Sequence, residues 1–228
     1  MIHATKLRGD RYLCIMAIPT SVYAEMTPNP AVMKFVADRD LIAAGKQVEF
    51  RSPQEAALCS PLAAELFHFP FVTNVFISGP FVSVTKDDSL GWEMIVQQLR
   101  EYIREWLMEH PVAVDAAQLA AAEAQLAQPQ QVATTASPSA THFIQDDEIQ
   151  PSEQDDAIRS LLDEFVRPAV EQDGGAIDFK AFKDGTVYVH MRGACSGCPS
   201  SMQTLKGGIE QLLTAKIPEV KEVVALGV

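Results

Sequence analysis

The chain carries two stretches of regular hydrophobic patterning with an unpatterned stretch between them. In the first, residues 12–18 form a nearly continuous apolar run stopped by Pro19 and predict a strand. Thr27-Pro-Asn-Pro30 predicts a turn, with Pro30 opening a helix over 31–36. A short strand is expected at 48–50, and helices start at Ser52-Pro53 and Ser60-Pro61, the latter with Leu62, Leu66 and Phe67 at helical spacing. Residues 72–77 and 81–85 predict a β-hairpin about Ser78-Gly-Pro80. Residues 90–108 predict an amphipathic helix with Ile95, Leu99, Tyr102, Ile103 and Trp106 on one stripe.

The second patterned stretch reads more cleanly. Ser152 is a candidate N-cap, and Ile158, Leu161, Leu162, Phe165 and Val166 make an apolar helical face. Pro168 bends or restarts that helix, and Gly174-Gly175 ends it. Residues 177–182 and 186–191 are two strands joined by Asp184-Gly185, a strong hairpin signal. Val187, Val189 and Met191 alternate with Thr186, Tyr188 and His190, so one face is expected to be buried. After the loop Gly193-Ala-Cys-Ser-Gly-Cys198, Pro199 opens a helix to about residue 215, with Met202, Leu205, Ile209, Leu212 and Leu213 inward. Pro218 breaks it, and residues 220–226 return as a strand, giving the order α-β-β-α-β.

Composition separates the two. Between Pro111 and Ala140 stand eleven Ala, five Gln, three Pro and no aromatic residue, too little apolar bulk to offset ordering entropy. Residues 114–128 have the composition of a transient helix, and 129–150 that of a mobile tether. The expected fold class is therefore α+β: two small mixed α/β domains, 1–110 and 152–228, joined by a flexible Ala/Gln-rich linker over 111–151.

Charge narrows the partners. The net charge of −12 lacks the basic footprint that gathers counterion-release energy on nucleic acid, and anionic membranes are equally disfavoured. No window approaches the roughly 18 uncharged apolar residues that span a bilayer. The opening residues MIHATKLRGDRYL lack an export signal and include Asp10, unlike an acid-poor transit peptide. A cytoplasmic chain with reduced thiols is expected.

The candidate chemistry sits at Cys195-Ser-Gly-Cys198. Two thiols three positions apart, in a loop opening onto a helix, converge on one metal, and the helix N-terminus is expected to ease ionisation of both. Thiolate ligates soft metals and iron–sulfur clusters, whereas structural zinc and thiol–disulfide redox chemistry share the same spacing. A hairpin before the cysteines, in place of a βαβ entry, argues against the redox reading. The ligand count is short: a closed zinc or [4Fe–4S] site needs four ligands, and His190 is expected on the far face of its strand. Two copies about a two-fold axis would supply Cys195 and Cys198 twice, four thiolates in all, an arrangement suited to a carrier. Arg192 and Lys206 flank the loop as candidates to offset cluster charge. Cys14 and Cys59 have no ligand spacing and are expected to be small buried hydrophobes; Phe67, Phe69, Phe71 and Phe76 are candidates for a client-binding patch, with core packing the expected role. Asp173-Gly-Gly175 reads as a turn needing positive φ.

Arg167-Pro168, Asp173-Gly-Gly175, Gly185-Thr-Val-Tyr-Val189, Gly193-Ala-Cys-Ser-Gly-Cys-Pro199, Ser201, Thr204-Leu-Lys206 and Gly208-Ile-Glu210 follow one another in an order that resembles the C-terminal domain of NifU-like (Nfu) iron–sulfur proteins. Thr27-Pro-Asn-Pro30 with Lys34-Phe35, Ser60-Pro-Leu62 with Leu66-Phe67, and Val75-Phe76 with residues 81–86 resemble the N-terminal domain that accompanies it. The resemblance implies that Cys195 and Cys198 bind a [4Fe–4S] cluster bridging two subunits of a cluster-bound homodimer. It further implies a non-enzymatic scaffold or carrier that receives the cluster from upstream assembly machinery and passes it to apo iron–sulfur proteins. The U-type and [2Fe–2S] ferredoxin-like domains of the nitrogen-fixation scaffold have no counterpart here, so carriage is expected ahead of assembly. A CxxC thiol–disulfide oxidoreductase and a zinc-binding adaptor are the alternatives.

Overall fold

In the computed structural model, which describes residues 18–126, 152–196 and 199–226 (main chain alone at 122–126 and 199–201), regular structure begins at β1 (Val22–Met26). The strand expected over 12–18 (apart from Ile18), Cys14, the tether at 129–150 and Cys198 fall outside the described residues. The chain divides into two units, Met1–Ala122 and Glu123–Val228.

In the first unit β1 is followed by β2 (Val32–Ala37), β3 (Gln47–Phe50), helices α1 (Pro53–Ala56) and α2 (Pro61–Leu66), the hairpin β4 (Val72–Ser78) and β5 (Phe81–Lys86), and α3 (Trp92–Glu109). The strands form an all-antiparallel sheet in the order β1-β2-β5-β4-β3. β2 replaces the helix expected after Pro30. The Asn29 side-chain oxygen accepts from the Ala31 amide and the Asn29 carbonyl from Val32, so Pro28 and Pro30 serve a turn. Every residue of β2 is then buried between β1 and β5, where β-branched and aromatic side chains fit best. The two Ser-Pro starts hold: Ser52 and Ser60 each cap a helix, accepting from the amides of Glu55 and Ala63. α3 buries Ile95, Leu99, Ile103 and Leu107, with Tyr102 and Trp106 flanking.

The first core reaches beyond residue 110. Ala113, Val114 and Leu119, inside the stretch expected as linker, are buried in it. The amides of Ala113 and Asp115 donate to the carbonyls of Leu41 and Cys59, and Asp115 caps α4 (Ala116–Leu126) through the amides of Ala117 and Gln118. Composition alone hid this, because three small or medium apolar residues suffice when backbone hydrogen bonds hold them.

The second unit has α5 (Asp155–Leu161), a π-helical turn (Leu162–Val166), α6 (Arg167–Gln172), β6 (Gly175–Lys183), β7 (Thr186–Gly193), α7 (Pro199–Lys216) and β8 (Glu222–Leu226). The order is the expected α-β-β-α-β. The π turn is where Pro168 acts: the Arg167 amide reaches back to Leu162 and α6 restarts with the proline in its first turn. Ile158, Leu162, Val166 and Val170 thereby stay buried, whereas Phe165, expected inward, is 50% exposed. β6 and β7 pair antiparallel, and β8 lies parallel to β7. Ile177, Val187, Val189, Met191 and Val223 share one core with Ile209 and Leu213 of α7. Both domains are thus mixed, and the fold class is α+β.

Candidate metal centre

The turn that holds Cys195 leaves the sheet at the open end of the β6–β7 hairpin. There Gly175 pairs with Gly193, whose φ of +64° bends the chain out of β7 in the left-handed region that glycine tolerates. The Ser196 amide and hydroxyl both donate to the Gly193 carbonyl, at 3.0 and 2.8 Å, closing a tight turn. The Ala194 amide donates to the Gly174 carbonyl at 3.2 Å, tying that turn to the corner between α6 and β6.

Cys195 is 6% exposed and belongs to the same apolar cluster as Val170, Ile177 and Met191. Its sulfur lies against Gly175: a Cβ there would stand 2.6 Å from Cys195 Sγ and 2.8 Å from the Arg192 carbonyl oxygen. Only a residue without a side chain fits. Gly175 was legible in the sequence as part of a turn and not as the wall behind a thiol.

Burial, and behind it the charge of Asp173, pushes the Cys195 thiol up to about 11. This corrects the expectation of easier ionisation for Cys195. The first residue of α7 is Pro199, four positions on, and loss of water around the sulfur outweighs any benefit from the helix end. Cys198, the other predicted ligand, lies outside the described residues.

The remaining sequence candidates are engaged elsewhere. Arg192 forms an ion pair with Asp178 across the β6–β7 ladder, and Lys206 sits 3.5 Å from Glu222. Both cations thus already face carboxylates. His190 stands opposite Asp178 on the strand face away from the core, as its alternation required. Cys59 and Phe71 are buried in the first core, with Phe67 and Phe69 packed against it, and Phe76 is buried beside Phe81. Among the described residues no group of three or more His, Cys, Asp or Glu is placed to hold a metal ion, and no helix is long and apolar enough to cross a membrane. The hairpin before the cysteines is as expected, yet β7, α7 and β8 also form a parallel βαβ unit. The absence of such a unit therefore no longer counts against a redox site.

Comparison with known proteins places both units. Residues 22–110 match the family described as scaffold protein Nfu/NifU N terminal, and residues 158–224 match the NifU-like domain. The Drosophila willistoni protein named NFU1 iron-sulfur cluster scaffold homolog, mitochondrial, is 32% identical over 224 residues, 97% of this chain and 69% of the relative. The Drosophila virilis protein of the same name is 34% identical over 203 residues, 89% of this chain. The chain spans 60% of that relative's length. A solution NMR structure of a NifU-like protein from Saccharomyces cerevisiae is 19% identical, with a TM-score of 0.38, covering 50% of this chain and 95% of that one. The fly relatives are named as mitochondrial, which overturns the cytoplasmic expectation drawn from the opening residues. A reading of one end carries little weight for a chain shorter than its relatives. With a matching family over each unit and a relative aligned to 97% of the present sequence, this chain belongs to the NifU-like (Nfu) family of iron–sulfur cluster scaffold proteins.

Proposed function

We propose that this chain is a non-catalytic carrier whose cargo is a [4Fe–4S] cluster, held by Cys195 and Cys198 of two copies and passed to apo iron–sulfur proteins. The supporting observation is the ligand shortage around Cys195. The loop offers two thiols, Cys195 and Cys198, and Cys59 is buried in the first core, so a four-thiolate site is completed by a second copy of the same loop. Such a site draws on few residues, so thiolates of an acceptor can replace those of the carrier one at a time. The homodimer accordingly belongs to the loaded state, and upstream assembly machinery supplies the cluster.

The state of Cys195 in the closed turn supports a role other than that of a resting redox nucleophile. A redox nucleophile needs an exposed thiol of lowered pKa. Cys195 is buried and its thiol is pushed the other way, to about 11.

The test is anaerobic reconstitution with iron and sulfide of the wild type and of a Cys195→Ala, Cys198→Ala chain, followed by mixing with an apo-protein whose activity needs a [4Fe–4S] cluster. The wild type takes up iron and sulfide in equal amounts and restores the acceptor, and the double variant does neither. Equal iron in both chains, or a wild type that reduces protein disulfides without iron, would overturn the proposal.

A further inference from the structure

We infer that the Cys195 turn is a latch: without cargo the thiol is sheathed in the second core, and it becomes a ligand only when residues 194–196 swing away from the Gly174-Gly175 corner about Gly193. The inference rests on the reading of Cys195 as a cluster ligand and adds a closed state to it.

Three observations converge on the latch. At 6% exposure, with its sulfur against Gly175, Cys195 offers no open side to the iron of a bulky cluster or to the loop of a second copy. The turn is built to move as a piece. Ser196 holds the Gly193 carbonyl through both its amide and its hydroxyl, so the turn keeps its own shape. Gly193, at φ +64° and without a side chain to obstruct rotation, stands where the turn leaves β7. The hold on the corner includes a 3.2 Å hydrogen bond from the Ala194 amide to the Gly174 carbonyl and the seating of two small side chains, Ala194 and Cys195, each of a size that local opening can release.

The closed state explains why a ligand belongs to a hydrophobic cluster. Enclosed, the thiol is shielded from oxidants and from stray metal ions. Released, it presents sulfur at the edge of the domain, where a second copy can approach. Uptake of a cluster is then gated by opening of the turn, and the wall that shapes the gate is Gly175.

Site-resolved alkylation of the cargo-free, reduced chain with N-ethylmaleimide, read by mass spectrometry, tests the latch without any cluster. Cys195 in the native chain should react about a hundredfold more slowly than in the same chain unfolded in urea. Gly175→Ala places a methyl where the sulfur sits; with an unchanged far-UV circular dichroism spectrum it should raise the native rate about tenfold or more. It should also take up iron and sulfide sooner than the wild type. A native rate within about threefold of the unfolded rate would overturn the latch. So would a folded Gly175→Ala chain that reacts no faster than the wild type. If that variant does not fold, the comparison of native and unfolded wild type decides. A wild type whose Cys195 reacts slowly but which never binds iron and sulfide refutes the cluster reading, and with it the ligand role of the opened turn, leaving only the sheathed thiol.

Discussion

Cys195 keeps its proton because the core strips water from the sulfur and, to a lesser extent, because Asp173 repels the thiolate. The thiol's folded value of about 11 lies above its ordinary 9.0, so the folded chain binds that proton more tightly than the unfolded one. This contribution to stability is full below pH 9 and is lost as the pH rises to about 11. In urea unfolding of the cargo-free second domain, the wild type should lose about 2–3 kcal/mol more than Cys195→Ala across that window. Parallel pH profiles would show that the thiol is not sheathed. The two cysteines were legible because a CxxC loop before a proline-led helix is a local signal. The seat was not. Counting back symmetrically from Asp184-Gly185 sets Ala176 opposite Gly193, and only the irregularity between Phe179 and Ala181 brings Gly175 there. Nothing in the residues at 179–181 announces that slip.

Among the elements, those with strong local signals formed where the residues placed them. The Ser-Pro helix starts, both β-hairpins and the long helix α3 are cases in point. Ser60 does more than cap α2. Its hydroxyl also donates to the Ala113 carbonyl at 2.9 Å while fully buried, joining the helix start to the segment that follows α3. Ser60→Ala removes the cap and leaves that carbonyl short of a buried donor, so the first domain should lose about 1–3 kcal/mol in urea unfolding. A loss under about 0.5 kcal/mol would mean the joint carries no weight. The elements that escaped were those fixed by tertiary surroundings. Pro30 suits a helix start, whereas the place of β2 between β1 and β5 is set by distant partners. Phe165 was placed inward because a regular helix would put it there, and the π turn before Pro168 turns it out.

At the scale of the whole molecule, the residues disclosed two mixed domains of one recognisable family, and the matches over 22–110 and 158–224 agree. They did not disclose the compartment, since an address is not written in the folding pattern, nor how far the first core extends past residue 110. The proposed carrier has a definite stoichiometry: each domain supplies two thiols and a cluster takes four, which makes its loaded form a pair of chains around one cluster. Native mass spectrometry of the anaerobically reconstituted protein reads this directly. The proposed carrier should register as two chains plus a single [4Fe–4S] unit, and the Cys195→Ala, Cys198→Ala chain as cluster-free protein. A single chain carrying a complete cluster, or a pair of double-variant chains that retains one, would contradict it.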